Sequence, residues 1–255
     1  MHKSRLRDIR ERKINLKTQT AFKHKLPRQG KPLLRHSFLT LMLQDYIVLQ
    51  LAKKVQAMSI ILKATAEQWN SQYANGKWNY LEEVPVEKSR SAVIAMYCKH
   101  FFPEGHILDI GCGTGILFDF LSKEQQSKYM GIDLSEQAIH IAQKKRNINC
   151  QAWDAHLFTP AGKFDIIVFN EVLYYLDHRK IFEKYAQYLN ENGKIIASAI
   201  RLKKLVYKSR VANIWKSGSL FFNLTGELTL TAMVNYKKLN WDIKILSPIS
   251  TRREK

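Results

Sequence analysis

Residues 107–115 read Ile-Leu-Asp-Ile-Gly-Cys-Gly-Thr-Gly, and this stretch decides the fold. Its first four residues form a mostly apolar, β-type run, and glycines follow at the alternate positions 111, 113 and 115. A helical pattern then runs from Ile116 to Leu121. A strand, a glycine-rich turn and a helix in this order suit a nucleotide-like ligand, because glycine permits positive φ and a close approach of the backbone.

The spacing of the glycines separates two kinds of site. A dinucleotide fingerprint, G-x-G-x-x-G, requires a third glycine at position 116, where this chain has Ile116. The observed G-x-G-x-G resembles motif I of the class I S-adenosylmethionine (SAM) methyltransferases. The resemblance implies a Rossmann-like fold, SAM as the cofactor, and a first set of cofactor-binding residues: Asp109, Gly111, Cys112, Gly113 and Gly115. The alternative is a tight strand-to-helix turn that binds no ligand.

The second strand is expected at residues 129–132, and it ends at Asp133, 22 positions after Gly111. A Rossmann-like unit places a carboxylate there, about 20 residues after its glycine loop, to accept hydrogen bonds from ribose hydroxyls. Asp133 and the adjacent Leu134 are therefore predicted to bind the cofactor, and Ser135 is predicted to cap the next helix. The alternative is a capping or turn aspartate.

A third strand is predicted at residues 148–152, followed by Trp153, Asp154 and Ala155. Resemblance to SAM methyltransferases implies that Asp154 accepts a hydrogen bond from the adenine amino group. It also implies that Ala155 or Trp153 lines the face of the adenine. An exposed loop aspartate is the alternative.

The fourth strand, residues 164–170, is a near-continuous apolar run of the kind that is buried on both faces of a parallel sheet. Ligands of open α/β sheets bind beyond the carboxyl ends of the strands, so Asn170, Glu171 and Tyr174 are expected at the cofactor and at the methyl acceptor. We predict Glu171 as the general base and Tyr174 as the residue that orients the acceptor. His156 and His178 are weaker candidates.

The remaining pattern completes the fold. A helix is predicted at residues 181–189, ended by Asn192-Gly193, and a fifth strand at 194–200. A helix at 206–215 and β-like runs at 224–236 and 241–246 resemble the C-terminal hairpin of the family, with residues 237–240 between the two runs. We therefore predict an α/β fold, a Rossmann-like, seven-stranded, mostly parallel sheet with helices on both faces and a C-terminal antiparallel hairpin. Thr229, Thr231 and Asn235 are candidates for the acceptor side or for ordinary sheet packing.

The chain is predicted to divide into a basic N-terminal extension, 1–63, and a methyltransferase domain, 64–255. Within that domain we define a pre-core segment (64–105), a cofactor-binding core (106–200) and a C-terminal hairpin region (201–255). In related enzymes such a pre-core segment folds over the cofactor. Its aromatic residues Trp69, Tyr73 and Trp78 could stack on a sugar or on the sulfonium, or pack on the core. A helix is expected at 91–101, with Pro103 as its stop.

The net charge of +19 is unevenly distributed. Residues 1–63 carry +12, residues 64–199 carry −2 and residues 200–255 carry +9. The extension is expected to be partly disordered. It could bind nucleic acid or an anionic membrane, serve as a targeting segment, or be an artefact of start-site choice, with Met58 as the true start.

The chain has three cysteines, and none of them forms a C-x-x-C pair. We find no secretory signal and no apolar stretch of membrane-spanning length in the sequence. These features favour a cytoplasmic protein. The eight histidines show no metal-ligand spacing, so no metal is predicted. The oligomeric state does not follow from the sequence.

The favoured function is SAM-dependent methylation of an oxygen or nitrogen atom on a small molecule, with a saccharide or glycan precursor as the favoured acceptor. Residues 171–175 resemble the small-molecule and glycan methyltransferases related to the nodulation enzyme that N-methylates a chitooligosaccharide. A nucleic-acid methyltransferase, suggested by the basic termini, is less favoured. Amino-methylating DNA enzymes carry Asn or Asp, Pro-Pro and an aromatic residue at the end of strand four, and this chain has Asn-Glu-Val-Leu at 170–173. A non-catalytic SAM-binding protein is the third alternative.

Overall fold

A computed structural model of the protein describes residues 64–201, 205–234 and 237–249. The predictions for the extension 1–63 and for Asn235 lie outside these residues. The strands are β1 (Ile107–Ile110), β2 (Tyr129–Asp133), β3 (Cys150–Ala152), β4 (Phe164–Asn170), β5 (Leu189–Ile200), β6 (Phe222–Val234) and β7 (Lys237–Pro248).

These strands form one seven-stranded sheet in the order β3-β2-β1-β4-β5-β7-β6. Neighbouring strands from β3 to β5 are parallel. β7 runs antiparallel to β5, and β6 runs antiparallel to β7. The predicted mostly parallel sheet with a C-terminal antiparallel hairpin is confirmed.

Helices flank this sheet. They are α1 (Ala66–Ala74), α2 (Tyr80–Glu83), α3 (Pro85–Phe101), α4 (Lys123–Ser127), α5 (Glu136–Lys145), α6 (His178–Ala186) and α7 (Leu205–Gly218), with 3₁₀ helices at Ile116–Phe120 and Leu173–Tyr175. Ser135 caps α5 by accepting a hydrogen bond from the N–H of Ala138, as predicted.

The sheet separates two apolar cores, and the alternation along β4 shows how. Ile166 and Val168 belong to one core, which includes residues of α3 and α5. Ile167 and Phe169 belong to the other, which includes residues of α6 and α7. All four side chains are fully buried, and each such burial contributes about 1.5–3 kcal/mol. Helices therefore cover both faces, which explains why β4 reads as a continuous apolar run.

Several element boundaries differ from the prediction. The helix predicted at 181–189 ends at Ala186, and β5 begins at Leu189, so Asn192-Gly193 lies inside a strand. The reason is tertiary, because Leu189 pairs with Phe164 of β4. α3 begins six residues before the predicted start, at Pro85, a residue suited to the first turn of a helix. Residues 237–240 belong to β7 rather than to a turn.

The strand order locates the ligand site. β1 lies between β2 and β4, so the chain order reverses at the boundary between β1 and β4. A crevice opens beyond the carboxyl ends of the strands at such a switch point. The described residues all lie within one compact unit, and none of their helices is long and apolar enough to cross a membrane.

Candidate active site

A cavity of about 1430 Å³ opens at this switch point. Ligand pockets usually measure about 300–1,000 Å³, so this cavity has room for two reactants. It brings together eleven of the twelve predicted site residues: Asp109, Gly111, Cys112, Gly113, Asp133, Leu134, Asp154, Ala155, Asn170, Glu171 and Tyr174. Gly115 is the exception among them.

The glycine loop shows why glycine occupies its three positions. Gly111, Gly113 and Gly115 have φ values of 71°, 55° and 83°, which side-chain-bearing residues rarely adopt. A Cβ on Gly111 would collide with the side chain of Val172. Gly115 faces away from the cavity, where a Cβ would lie 2.8 Å from Ile148 Cδ1. Gly115 therefore shapes the turn and permits packing.

Asp133 holds the glycine loop as well as facing the cavity. Its Oδ2 accepts a hydrogen bond from the N–H of Gly113, and its Oδ1 accepts one from the N–H of Ser135, both at 2.9 Å. Burial raises the pKa of Asp133, and these two hydrogen bonds oppose the rise. Each carboxylate oxygen keeps a second lone pair, so the arrangement can still accept hydrogen bonds from ribose hydroxyls.

Asp109 is one of the residues that line the cavity, and one of its two carboxylate oxygens has no hydrogen-bond partner among the described residues. Its side chain is buried, and its Oδ2 accepts a hydrogen bond of 2.8 Å from the hydroxyl of Tyr129. Its Oδ1 is buried without a hydrogen-bond partner among the described residues. Burial raises the pKa of Asp109 to about 7. A buried polar atom without a partner calls for a structural or functional explanation, and Asp109 lies among the residues that line the cavity.

The third strand leads to the region predicted to hold the adenine. Asp154 Oδ1 accepts a hydrogen bond of 2.8 Å from the N–H of His156 and lies 3.0 Å from His156 Nδ1. Trp153 and Ala155 line the cavity beside Asp154. The thiol of Cys112 packs near Gly131, where a Cβ would lie 2.9 Å from it, so Cys112 fills space.

Glu171 and Tyr174 meet at the carboxyl end of β4. Glu171 has φ 62°, the one described non-glycine residue with positive φ. The Tyr174 hydroxyl donates a short hydrogen bond to Glu171 Oε2. Burial raises the pKa of Tyr174 well above its ordinary value, and the adjacent Glu171 carboxylate adds to the rise. Tyr174 therefore stays protonated and acts as a donor.

Asn170 lines the cavity, but its amide is engaged by the protein. Its Oδ1 accepts a hydrogen bond of 2.7 Å from Arg90 Nε, and its Nδ2 donates one of 3.1 Å to Ser91 Oγ. Arg90 also lies over the ring of Trp241, 5.3 Å from its centroid. The sequence reasoning missed Arg90, Ser91 and Trp241. The feature that could have indicated Arg90 and Ser91 is their position on the buried side of α3, the helix that precedes β1.

Aromatic residues of the pre-core segment form one wall of the cavity. The ring of Trp69 lies 5.7 Å from that of Trp78 and 5.0 Å from that of Tyr175, and the ring of Trp78 lies 6.1 Å from that of Tyr80. A Cβ on Gly113 would lie 3.0 Å from the hydroxyl of Tyr73. These aromatic side chains are among the residues that line the cavity.

Two polar contacts, both missed by the sequence reasoning, attach the pre-core segment to the core. Glu82 accepts hydrogen bonds from Thr114 Oγ1 (2.6 Å) and from both terminal nitrogens of Arg146 (3.1 and 3.0 Å). Burial opposes the charge of Glu82, but these hydrogen bonds hold its pKa below the ordinary value. Asn70 Oδ1 accepts a hydrogen bond of 2.8 Å from Ser135 Oγ. Both contacts join residues more than 30 positions apart.

Of the weaker site candidates, one lines the cavity and three do not. His156 lines the cavity, whereas His178 is not among the lining residues. Thr229 and Thr231 are also outside the lining, because they bond to Asp242 and Asn240 of β7. Over the described ranges, no group of three or more His, Cys, Asp or Glu side chains is arranged to hold a metal ion.

A family model described as a methyltransferase domain matches residues 81–218, more than half of the chain. The chain belongs to this methyltransferase family. The family uses SAM, so membership confirms the resemblance, the enzyme class and the cofactor predicted from the glycine loop.

Two curated relatives match over the core. The chain is 35% identical over 102 residues to the ubiquinone biosynthesis O-methyltransferase of Coxiella burnetii, covering 37% of this chain and 43% of that protein. It is 33% identical over 113 residues to the ribosomal protein L11 methyltransferase of Thermotoga petrophila, covering 42% of each. The chain thus spans less than half the length of these curated relatives.

Solved structures share the fold. The N-methyltransferase NodS of Bradyrhizobium japonicum, in complex with S-adenosylhomocysteine, aligns with a TM-score of 0.53 and 18% identity, covering 68% of this chain and 92% of NodS. The plantazolicin methyltransferase BpumL, also with S-adenosylhomocysteine, aligns with a TM-score of 0.52 and 18% identity, covering 78% and 100%. At this identity the similarity establishes the fold alone.

Proposed function

We propose that this chain catalyses SAM-dependent methyl transfer to an oxygen or nitrogen atom of a small molecule, with a saccharide or glycan precursor as the first acceptor class to test. The observation that carries the proposal is the pairing of Glu171 with Tyr174 in the same cavity as the glycine loop. By their names, the Coxiella burnetii relative is an O-methyltransferase and NodS an N-methyltransferase, which supports both acceptor atoms.

We assign the cofactor-binding roles by chemistry. Asp109 Oδ1 accepts from the amino group, Asp133 accepts from the ribose hydroxyls, and Asp154 accepts from the adenine amino group. The positive φ at Gly111 and Gly113 shapes the loop that lines the cavity, and the missing Cβ atoms make room for Val172 and for the hydroxyl of Tyr73. Leu134, Cys112 and Ala155 contribute apolar surface, whereas Gly115 and Asn170 act through the loop and the protein network.

SAM supplies an activated methyl group on a good leaving group, so the protein mainly has to hold the acceptor in line with it. In our proposal, the Glu171 carboxylate takes the proton of an acceptor hydroxyl or ammonium. The protonated Tyr174 hydroxyl orients Glu171 and the acceptor. The aromatic wall of Trp69, Trp78 and Tyr175 excludes water from the reactants.

The test is methyl transfer from labelled SAM to a panel of amino sugars and oligosaccharides, by the wild-type protein and by Glu171→Gln. We expect Glu171→Gln to bind SAM normally by calorimetry and to lose about 10²- to 10⁴-fold in kcat. A wild-type protein that binds no SAM would contradict the proposal. Normal kcat in Glu171→Gln would remove Glu171 as the base. Label on RNA or DNA instead of sugars would favour the nucleic-acid alternative.

Three further features of the chain are also covered only by proposals. The basic extension 1–63, proposed as a nucleic-acid or membrane-binding segment, a targeting segment or an artefact of start-site choice, has no residue within the described ranges. A cytoplasmic location is supported by Cys98, Cys112 and Cys150, all of which are free and buried. Binding of nucleic acid through the basic termini is less favoured.

A further inference from the structure

Glu171 occupies an unusual backbone position for the base of a reaction. Its φ of 62° lies in the left-handed region, which is unfavourable for a residue with a side chain. Such a conformation persists only where the surroundings stabilise it, and it is found at functional sites. The contacts that hold Glu171 in this conformation therefore determine where its carboxylate points.

Ser198 makes these contacts. It lies on β5 and is fully buried. Its Oγ accepts the backbone N–H of Glu171 at 3.0 Å, and the same Oγ lies 2.9 Å from Glu171 Oε1. One side chain thus binds both the backbone and the carboxylate of the residue in the strained conformation.

The single proton of the Ser198 hydroxyl has two acceptors within reach, Glu171 Oε1 and Asn170 Oδ1, both at 2.9 Å. Asn170 Oδ1 already accepts a hydrogen bond of 2.7 Å from Arg90 Nε. An ionised carboxylate is the stronger acceptor, so the proton belongs to Glu171 when that residue is charged. When Glu171 takes up a proton, the hydroxyl can turn to Asn170.

The geometry points to Ser198 as the positioning residue that holds Glu171 in its left-handed conformation and stabilises its ionised carboxylate. This inference rests on the proposed role of Glu171 as the base. Ser198 does not line the cavity, so it acts through Glu171 and not on the acceptor.

Other groups also face Glu171 and remain in place when Ser198 is changed. Tyr174 donates to its other oxygen from the 3₁₀ helix after β4. Glu87 and Arg90 approach from α3, and Tyr80 approaches from α2. Burial raises the pKa of Glu87 and of Tyr80, and the Glu171 charge adds to both rises. Because all of these remain in a Ser198 variant, any difference from the wild type reports the Ser198 hydroxyl.

The experiment is a pH titration of the Glu171 carboxylate by NMR of the full chain labelled with ¹³C in glutamate side chains, with Glu171→Gln to assign the resonance. It is done for the wild type, Ser198→Ala and Ser198→Cys, which is close in size but a weak donor. Ser247→Ala is the matched control. The Ser247 hydroxyl, on β7, accepts a hydrogen bond of 2.8 Å from Nζ of Lys194, which lies on β5 like Ser198.

We expect the titration midpoint to be higher in Ser198→Ala than in the wild type, because the hydrogen bond to Glu171 Oε1 is lost, to move less in Ser198→Cys, and not to move in Ser247→Ala. The acid limb of the pH profile of kcat is expected to move in the same direction, with KM for SAM unchanged. An unchanged midpoint in Ser198→Ala overturns the inference. If Ser198→Ala does not fold, Ser198→Cys decides by the same criterion.

The titration requires no methyl transfer, so the two proposals fail separately. A shifted midpoint with normal kcat in Glu171→Gln would keep Ser198 as the residue that positions Glu171 and would reject Glu171 as the base. An unshifted midpoint with an inactive Glu171→Gln would keep the base and reject the role of Ser198.

Discussion

Glu171 illustrates how a single residue can be suited to a site and unsuited to its backbone. Replacing it with alanine or with glycine removes the same contacts to Tyr174 and Ser198. Only alanine retains the cost of φ 62°. We expect Glu171→Gly to be more stable than Glu171→Ala by about 1 kcal/mol in urea unfolding, although both lose activity. Equal stabilities, or a more stable alanine variant, would show that the left-handed conformation is not strained.

Gly111 is a position where a side chain is not tolerated, because its φ is positive and Val172 occupies the space that a Cβ would need. Gly111→Ala would force a side chain into φ 71° and against Val172. We expect this variant to lose at least tenfold in SAM affinity by calorimetry and to melt at a lower temperature. Gly162→Ala is the matched control, since a Cβ there meets nothing within 4 Å. A Gly111→Ala protein that binds SAM like the control would contradict the assignment of this loop to the cofactor.

At the scale of elements, Glu82 joins α2 to the glycine loop and to the residue after α5. Its contacts to Thr114 and Arg146 are partly buried, and the charged pair is the stronger part of this link. We expect Glu82→Gln to weaken SAM binding about tenfold while the core stays folded, whereas the exposed Glu83→Gln changes neither. Calorimetry and thermal melting measure both effects.

The sign of the pH dependence provides a second check on Glu82. Its pKa is lowered in the folded state, so the stability it contributes is present above the ordinary glutamate pKa and is lost as the pH falls through the lowered value. The difference in stability between the wild type and Glu82→Gln should therefore shrink on acidification. A difference that stays constant would mean that the charge of Glu82 does not stabilise the pre-core segment.

The elements that could be predicted from sequence are those whose own residues determine them. β4 was predicted with its observed bounds, because five of its seven residues are buried, on both faces of the sheet, and leave a near-continuous apolar run. β5 was predicted to start five residues too late, because its first residues are ordered by pairing with β4. Residues 116–120 form a 3₁₀ helix where a longer helix was expected. Local pattern carries no information on contacts made by a distant strand.

The same distinction holds for the site. The glycine loop, Asp133 and the Asn170-Glu171 pair could be proposed as site candidates because they follow strands at recognisable positions. Arg90, Ser198 and Arg146 were not, because their importance arises from partners 27 to 80 positions away. The sequence shows that these residues are polar, and only the fold shows which groups they contact.

At the scale of the whole molecule, the buried Asp109 links the candidate site to global stability. Its folded pKa of about 7 exceeds the ordinary value of 3.8, so between these values the folded chain binds a proton that the unfolded chain lacks. The stability of the protein without ligand should therefore fall as the pH rises from about 4 to about 7, and this contribution should then level off. Burial of the Asp109 carboxylate therefore lowers the free energy of unfolding near neutral pH.

Asp109→Asn removes that cost, because an amide does not ionise. We expect the variant to gain about 2 kcal/mol in unfolding free energy relative to the wild type between pH 5 and pH 8, measured by urea denaturation. Glu104→Gln, whose side chain is 77% exposed, should show no such change. SAM should then stabilise the wild type more than Asp109→Asn at pH 8, since only the carboxylate offers a negative charge to the amino group. A variant whose stability and SAM response both follow the wild type at every pH would show that Asp109 is neither strained by burial nor part of the cofactor site.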